Sequence, residues 1–335
     1  MSELYKKSGV DIDAGAKAVS LMRDAVRATY TPSVLSDVGN FGGLYSLKSI
    51  ASMSNPVLVA SSDGVGTKTK VASAMNQWDT IGADLVNHCI NDILVQGATP
   101  LFFLDYVASD KLHPQQIADI VTGMAKACQD AYTALLGGET AEMAGVYMAG
   151  EVDVVGTIVG AVDQDHVIDG SKIRDGHIIV ALPSTGLHTN GFTLARAVLA
   201  GEDWQTHHAK LGQSIGETLL ATHRCYLNEF LEIREQVNIL GIAHITGGGV
   251  TDNLPRILPD GFGAQIDSNK WEIPAIFQII QHQGNISDAE MCRVFNLGLG
   301  MLLVLSQNDA LTVVDLLDDA FIVGQIVQGN GVQVV

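Results

Sequence analysis

The sequence predicts an α+β (mixed α/β) fold in two domains. Length is the first reason: 335 residues exceed what one typical core accommodates. The second is that strand-like and helix-like stretches mix in both halves without the regular βαβ alternation of a doubly wound sheet. The third is a polar segment, Asp163 to Gly176, with little periodicity and several Asp and Gly residues. It separates an N-terminal domain, residues 1–165, from a C-terminal α/β domain, residues 166–335.

Met1 to Gly9 is polar and reads as an arm. Apolar residues at Ala14, Ala18, Leu21, Met22, Ala25 and Val26 predict a helix over Ile12–Ala28, with Asp11 or Asp13 as its cap. Tyr30 to Leu47 is a Gly-rich loop containing Phe41-Gly42-Gly43. Val57 to Ala60 is a buried strand that runs into Asp63-Gly64-Val65-Gly66-Thr67-Lys68. A helix over Asp79–Gln96, capped by Gly97, precedes a strand over Leu101–Val107 and a helix over Pro114–Ala134. Gly137-Gly138-Glu139 reads as a second acidic turn, and Val152–Val162 as a strand. The second half begins with a strand, Ile178–Leu182, then a polar loop to Gly191 and a helix from Phe192. Trp204–Gly212 is a polar insert, Ser214–Val237 a long helical stretch, and His244 to Gly249 a glycine loop leading into a helix. A helix over Ile276–Gln283, a strand over Leu297–Leu305, a helix over Asp309–Asp318 and a strand over Ala320–Val327 close the chain.

Charge narrows the possible functions. Against 37 acidic residues stand 19 Lys and Arg, a net charge of −18, so neither nucleic acid nor an anionic membrane surface is an expected partner. A phosphorylated ligand would have to be held by backbone N–H groups, helix N-termini and metal ions. Cys89, Cys128, Cys225 and Cys292 are widely spaced and form no CxxC pair, which fits free thiols in a reducing, cytoplasmic setting. Neither a secretory leader nor a transmembrane stretch is expected.

Two groups of residues offer chemistry. In the first half, Asp63, Asp92 and Glu139 come from separate elements, a set suited to Mg²⁺ bridging phosphate oxygens. Asp92 lies within the apolar helix end Cys89–Leu94, where a carboxylate needs a partner. The stretch from Val57 to Lys70 is either an ordinary strand-end turn or a phosphate loop; it lacks Walker A spacing. With so few cations in the chain, more of the phosphate charge falls to a metal on Asp63 than to Lys68. In the second half, Ser184 to Gly191 supplies hydroxyls, an amide and His188 just before a helix, either an anion cradle with a proton carrier or a polar cap. His244 beside Thr246-Gly247-Gly248-Gly249 is a similar candidate. His88, His207 and His208 read as structural or solvated.

Several of these runs resemble the phosphoribosylformylglycinamidine cyclo-ligases, the aminoimidazole ribonucleotide synthetases of purine biosynthesis. They are Tyr5-Lys6 with Gly9-Val10-Asp11-Ile12-Asp13-Ala14-Gly15, Asp63 to Lys68, Asn91-Asp92, Leu101 to Tyr106, Gly137 to Met143 and His244 to Gly249. The chain departs from the family pattern at Ala144, where Pro is usual, and at Val250-Thr251-Asp252-Asn253. The resemblance implies ATP-dependent ring closure of formylglycinamidine ribonucleotide, with ADP and phosphate released and no covalent enzyme nucleophile. It implies ATP and Mg²⁺, with Asp63, Asp92 and Glu139 as metal ligands and Lys68 as a phosphate partner. Gly64, Val65, Gly66, Thr67 and Gly138 would shape the nucleotide site, and Phe41, Gly42 and Gly43 would cover it. Thr189, Asn190, His244, Thr246, Gly247, Gly248 and Gly249 would form the ribonucleotide side, with His188 moving the proton. It also implies a homodimer in which the N-terminal sheets pair. Related families differ in the absence here of an N-terminal or C-terminal reactive Cys; an ATP-binding scaffold without turnover is the alternative.

Overall fold

The computed structural model describes Lys6 and residues 9–335. Most of the polar arm, with Tyr5 of the opening motif, lies outside the described residues. The chain divides into two units, residues 1–93 with 98–165 and residues 94–97 with 166–335.

In the first unit, α1 (Ile12–Ala28) starts where the Asp11 carboxylate accepts from the N–H groups of Asp13 and Ala14, the cap its sequence predicts. The remaining elements are β1 (Pro56–Gly64), α2 (Lys68–Met75), α3 (Asp79–Leu94), β2 (Thr99–Ser109), α4 (Pro114–Asp130), β3 (Ala134–Glu142) and β4 (Val152–Asp163). The strands form one sheet in the order β1-β4-β2-β3. β4 runs antiparallel to β1 and β2, while β2 and β3 are parallel, joined by a crossover through α4. One sheet face buries Phe103, Val154 and Ile158; the other leaves Leu58 59% and Leu104 37% exposed.

Helices α3 and α4 approach backbone to backbone. A Cβ at Gly82 would lie 1.9 Å from the Ile120 carbonyl oxygen, and one at Gly123 would lie 1.9 Å from that of Asp79. Gly82→Ala must push the helices apart, and a destabilisation of about 1–3 kcal/mol is expected from such overpacking, read from the midpoint of urea unfolding.

Two acidic positions expected in turns lie in strands. Asp63 still pairs with Gly156 in the β1–β4 ladder, and Glu139 pairs with Tyr106 in the β2–β3 ladder. The glycines before Glu139 are accommodated in β3 for a steric reason. A Cβ at Gly138 would lie 2.0 Å from Asp105 Oδ1, so the missing side chain leaves room for that carboxylate.

The second unit contains β5 (Ile178–Pro183), α5 (Phe192–Val198), α6 (Ile215–Leu219), α7 (Leu227–Ile233), β6 (Gly241–His244), α8 (Gly249–Asn253) and β7 (Phe262–Ile266). It ends with α9 (Ala275–Gly284), α10 (Asp288–Val294), β8 (Leu299–Leu305), α11 (Gln307–Leu316), β9 (Phe321–Gln328) and β10 (Gly331–Val334). Its sheet has the order β10-β7-β9-β5-β8-β6, and every neighbouring pair is antiparallel except β7 with β10. Ile179, Ala181, Leu302, Val304, Val323 and Ile326 are buried in its core. The long helix expected over Ser214–Val237 is interrupted. A capping box of Ser214 and Glu217 starts α6, but residues 221–226 leave the helix and bury His223 and Tyr226 completely. The Tyr226 hydroxyl donates to the Pro183 carbonyl at 2.9 Å, holding this segment against the end of β5. Among the described residues no helix is long and apolar enough to cross a membrane.

Candidate active site

The first-unit cluster grows from the period of β1 and of α3. Ser61 and Asp63 sit two apart on the strand and point to the same face; His88 and Asp92 sit four apart on the helix and do likewise. His88 is 3% exposed, and its Nε2 donates to Asp63 Oδ2 at 2.9 Å and lies 3.6 Å from Asp92 Oδ2. Ser61 Oγ donates to Asp92 Oδ2 at 3.0 Å, and Gly64 N–H to Asp63 Oδ1 at 2.6 Å. Burial works against a charged His88 ring. The hydrogen bond to Asp63 and the negative charges of Asp92, Asp63 and Asp84 outweigh it and raise the proton affinity of the ring. Two carboxylates thus converge on one spot that favours a cation. His88 had read as structural, yet the i, i+4 spacing with Asp92 was the signal that joins them.

Glu139 is elsewhere. Asp63, Gly156, Asp105 and Gly138 form one rung across the sheet, so the neighbour of Gly138, Glu139, points to the opposite face. Three strand spacings place the Asp63 and Glu139 backbones roughly 14 Å apart. Asp105 is on the helix-covered face, where burial pushes its carboxyl up to about 7 and the Glu139 charge adds to the shift.

Lys68 does not offer its ammonium to solvent. The residue is 0% exposed, and its Nζ donates to Asp84 Oδ1 at 2.9 Å, with Oδ2 at 2.8 Å. Burial lowers its proton affinity, and Asp84 opposes that change. The position expected to meet a phosphate therefore serves to join α2 to α3. Gly66 at φ +65° makes the turn between β1 and α2, around the fully buried Val65 and next to Thr67 at the start of the helix. Phe41 is fully exposed in its loop between Gly39 and Gly42, and Gly43 packs on Leu136.

In the second unit the loops after β5 and β6 meet. Asn190 Oδ1 lies 3.1 Å from the Cβ position of Gly247. Asn253 fixes the triple-glycine loop: its Nδ2 donates to the carbonyls of Thr246, Gly247 and Gly249, and its Oδ1 accepts from Thr246 Oγ1. Gly248, at φ +98°, caps α8 behind them. Asn296 does the same for the other loop, through Gly186, Ser184 and Gly298. His188 adopts a left-handed φ of +60°, unusual for a residue with a Cβ, and its Nε2 accepts from Thr185 N–H at 3.2 Å. The imidazole of His223, which no motif signalled, lies between His188 and His244. It stacks on His188 with centroids 3.9 Å apart, and its Nε2 is 3.1 Å from His244 Nε2. The structure thus gathers His188, Thr189, Asn190, His244, Thr246 and Gly247.

The family described as "AIR synthase related protein, N-terminal domain" matches residues 48–162, and its "C-terminal domain" counterpart matches residues 174–335. A phosphoribosylformylglycinamidine cyclo-ligase of Desulfitobacterium hafniense (strain DSM 10664 / DCB-2) is 48% identical over 309 residues, 92% of this chain and 91% of the relative. The chain belongs to the phosphoribosylformylglycinamidine cyclo-ligase family. A second cyclo-ligase of that name, from Brevibacillus brevis (strain 47 / JCM 6285 / NBRC 100599), is 44% identical over 337 residues, 98% of this chain and 97% of the relative. Among solved structures, thiamine-monophosphate kinase from Stenotrophomonas maltophilia K279a is similar with a TM-score of 0.69, at 19% identity, over 94% of this chain and 95% of that one. E. coli HypE follows with a TM-score of 0.67, at 16% identity, over 96% and 93%. These two likenesses concern the fold. The cyclo-ligase family shares it with proteins of other activities, so the sequence relatives carry the family assignment.

Proposed function

We propose that the chain closes the imidazole ring of formylglycinamidine ribonucleotide to give 5-aminoimidazole ribonucleotide, using ATP and releasing ADP and phosphate. The observation that carries this reading is near-full-length identity of 44–48% to relatives named for that activity. The γ-phosphoryl group passes to the formyl oxygen of the substrate. A substrate nitrogen then attacks the formyl carbon, and inorganic phosphate departs with the oxygen. Positioning and charge neutralisation are what such a transfer asks of the protein.

The convergence of Asp63 and Asp92 on His88 fits a Mg²⁺ site, because it is a spot whose carboxylates already raise the proton affinity of the one base between them. Bound there, Mg²⁺ would neutralise and orient triphosphate oxygens. Glu139, on the other sheet face, would hold a separate ion or meet a different part of the nucleotide. Backbone from Gly64 to Thr67, Gly138 and the Phe41–Gly43 loop would surround ATP. Thr189, Asn190 and the His244–Gly249 segment would hold the ribonucleotide, with His188 moving the proton. Lys68 would support the loop through Asp84. A cytoplasmic location fits the spacing of the cysteines.

A homodimer through the open sheet face is part of this reading. Leu58 and Leu104 leave apolar surface on that face, and Glu139 would then lie at the interface. Light scattering at micromolar concentration should give about twice the 35.5 kDa chain mass; a stable, active monomer would contradict it. For the activity itself, phosphate release should depend on formylglycinamidine ribonucleotide and ATP together. ATP binding without substrate-dependent turnover would instead favour a scaffold of the same fold.

A further inference from the structure

We propose that His88 is a positioning residue for metal binding: its ring holds the Asp63 carboxylate in the orientation in which that group and Asp92 meet a divalent cation. This role rests on the reading of Asp63 and Asp92 as Mg²⁺ ligands. Asp63 stands one residue from the end of β1 with its side chain 46% exposed, and the Asp92 side chain is 24% exposed. A carboxylate that open to water turns about its own side-chain bonds, and it gives up that freedom when it ligates an ion. The His88 side chain, within α3, is only 4% exposed. It is a fixed donor beside two acceptors that would otherwise be mobile.

The hydrogen bonds cross between the two elements. His88 on α3 donates to Asp63 on β1 at 2.9 Å, and Ser61 on β1 donates to Asp92 on α3 at 3.0 Å. Each element therefore supplies one acid and the donor that holds the other element's acid. Asp63 is held at both oxygens, because the Gly64 N–H donates to its Oδ1 at 2.6 Å. Asp92 Oδ2, bonded to Ser61, also lies 3.6 Å from His88 Nε2. An ionised carboxylate offers about four lone-pair sites, so an oxygen that accepts one hydrogen bond still has a lone pair for an ion. The ring nitrogen facing the acids presents a proton to Asp63 and not a lone pair, which makes His88 a partner of the ligands and not a ligand. That arrangement suits Mg²⁺, which takes oxygen ligands. Neutral imidazole can carry the Nε2 proton as well as imidazolium can, so an arriving cation need not expel it. Hydrogen bonds to ligating groups raise metal affinity by fixing the orientation of the ligand.

The test reads metal binding and not turnover. Metal-free full-length protein is titrated with Mn²⁺, and the free ion is measured by its EPR signal. The wild-type protein should hold a Mn²⁺ ion that Mg²⁺ displaces and that Asp92→Asn removes. Absence of that ion from the wild type, or its persistence in a folded Asp92→Asn protein, would overturn the metal reading and the role of His88 together. With that control met, His88→Leu should weaken the binding by ~10–100-fold, the cost of losing a supporting partner of a ligand. His88→Gln, whose side-chain N–H can donate to Asp63 in place of the ring, should recover most of the loss. His88→Asn keeps a polar side chain that falls short of Asp63, and it takes the place of His88→Leu if the latter does not fold. Wild-type affinity in a folded His88→Leu or His88→Asn protein would overturn the positioning role alone. So would an equal loss in His88→Gln, which would make the ring a direct ligand or a packing group.

Discussion

Asp92→Asn is expected to lower substrate-dependent ADP formation by about a thousandfold or more. Loss of a metal-held charge in phosphoryl transfer removes several kcal/mol of transition-state stabilisation, and each 1.36 kcal/mol is a tenfold rate effect. The fold should survive, because the amide oxygen can still accept from Ser61 Oγ and the side chain keeps its shape. A second readout separates charge from structure. Asp92 is one of the groups raising the proton affinity of His88, so the His88 titration followed by NMR should move to lower pH in the variant. Near-normal turnover in a folded Asp92→Asn protein would remove Asp92 from the metal site.

The second large effect is on stability. Lys68→Ala removes the ammonium that pairs with the Asp84 carboxylate in a site where both side chains are 0% exposed. Breaking a buried pair in this way costs about 3–5 kcal/mol. The double replacement Lys68→Met with Asp84→Leu should recover most of that loss, since neither charge is then left buried. Urea unfolding of the two variants makes the comparison. A Lys68→Ala protein as stable as wild type, with only its KM for ATP raised, would show instead that the ammonium reaches the nucleotide.

The sequence was most legible where one local rule decides. Period and capping placed α1 and α3 within a residue or two, because Asp11 supplies its carboxylate to the first turn and the apolar face from Ile81 to Ile93 repeats at helical spacing. Local reading was less informative where the deciding contact is distant. Glycines at 137 and 138 look like a turn, but β2 supplies a ladder partner and the Asp105 carboxylate fills the space above Gly138. The stretch after α6 looks helical, but Pro183, on another strand, draws Tyr226 out of that pattern. The same distinction runs through the site. Asp63 and Asp92 were recognisable as acids in unusual settings; that they share His88, and that Glu139 points away, depends on strand register. Lys68 has the residue type of a phosphate ligand, and only its burial against Asp84 reveals a structural role. His223 belongs to no motif, and its neighbours His188 and His244 are respectively 35 and 21 positions away in the chain.

The passage of residues 94–97 into the second unit limits how the molecule can be divided. The Gln96 carbonyl accepts from Ile168 N–H, and Gly97 is close enough to His166 that a Cβ would lie 2.9 Å from its carbonyl oxygen. A single cut after Asp165 would leave this tetrapeptide on the wrong fragment. Residues 166–335 expressed alone would begin with an unpaired Ile168 amide, and supplying the missing four residues would require carrying α3 and β2 with them. Separating the two units along their own contacts would mean cutting the chain at three points, after Ile93, Gly97 and Asp165.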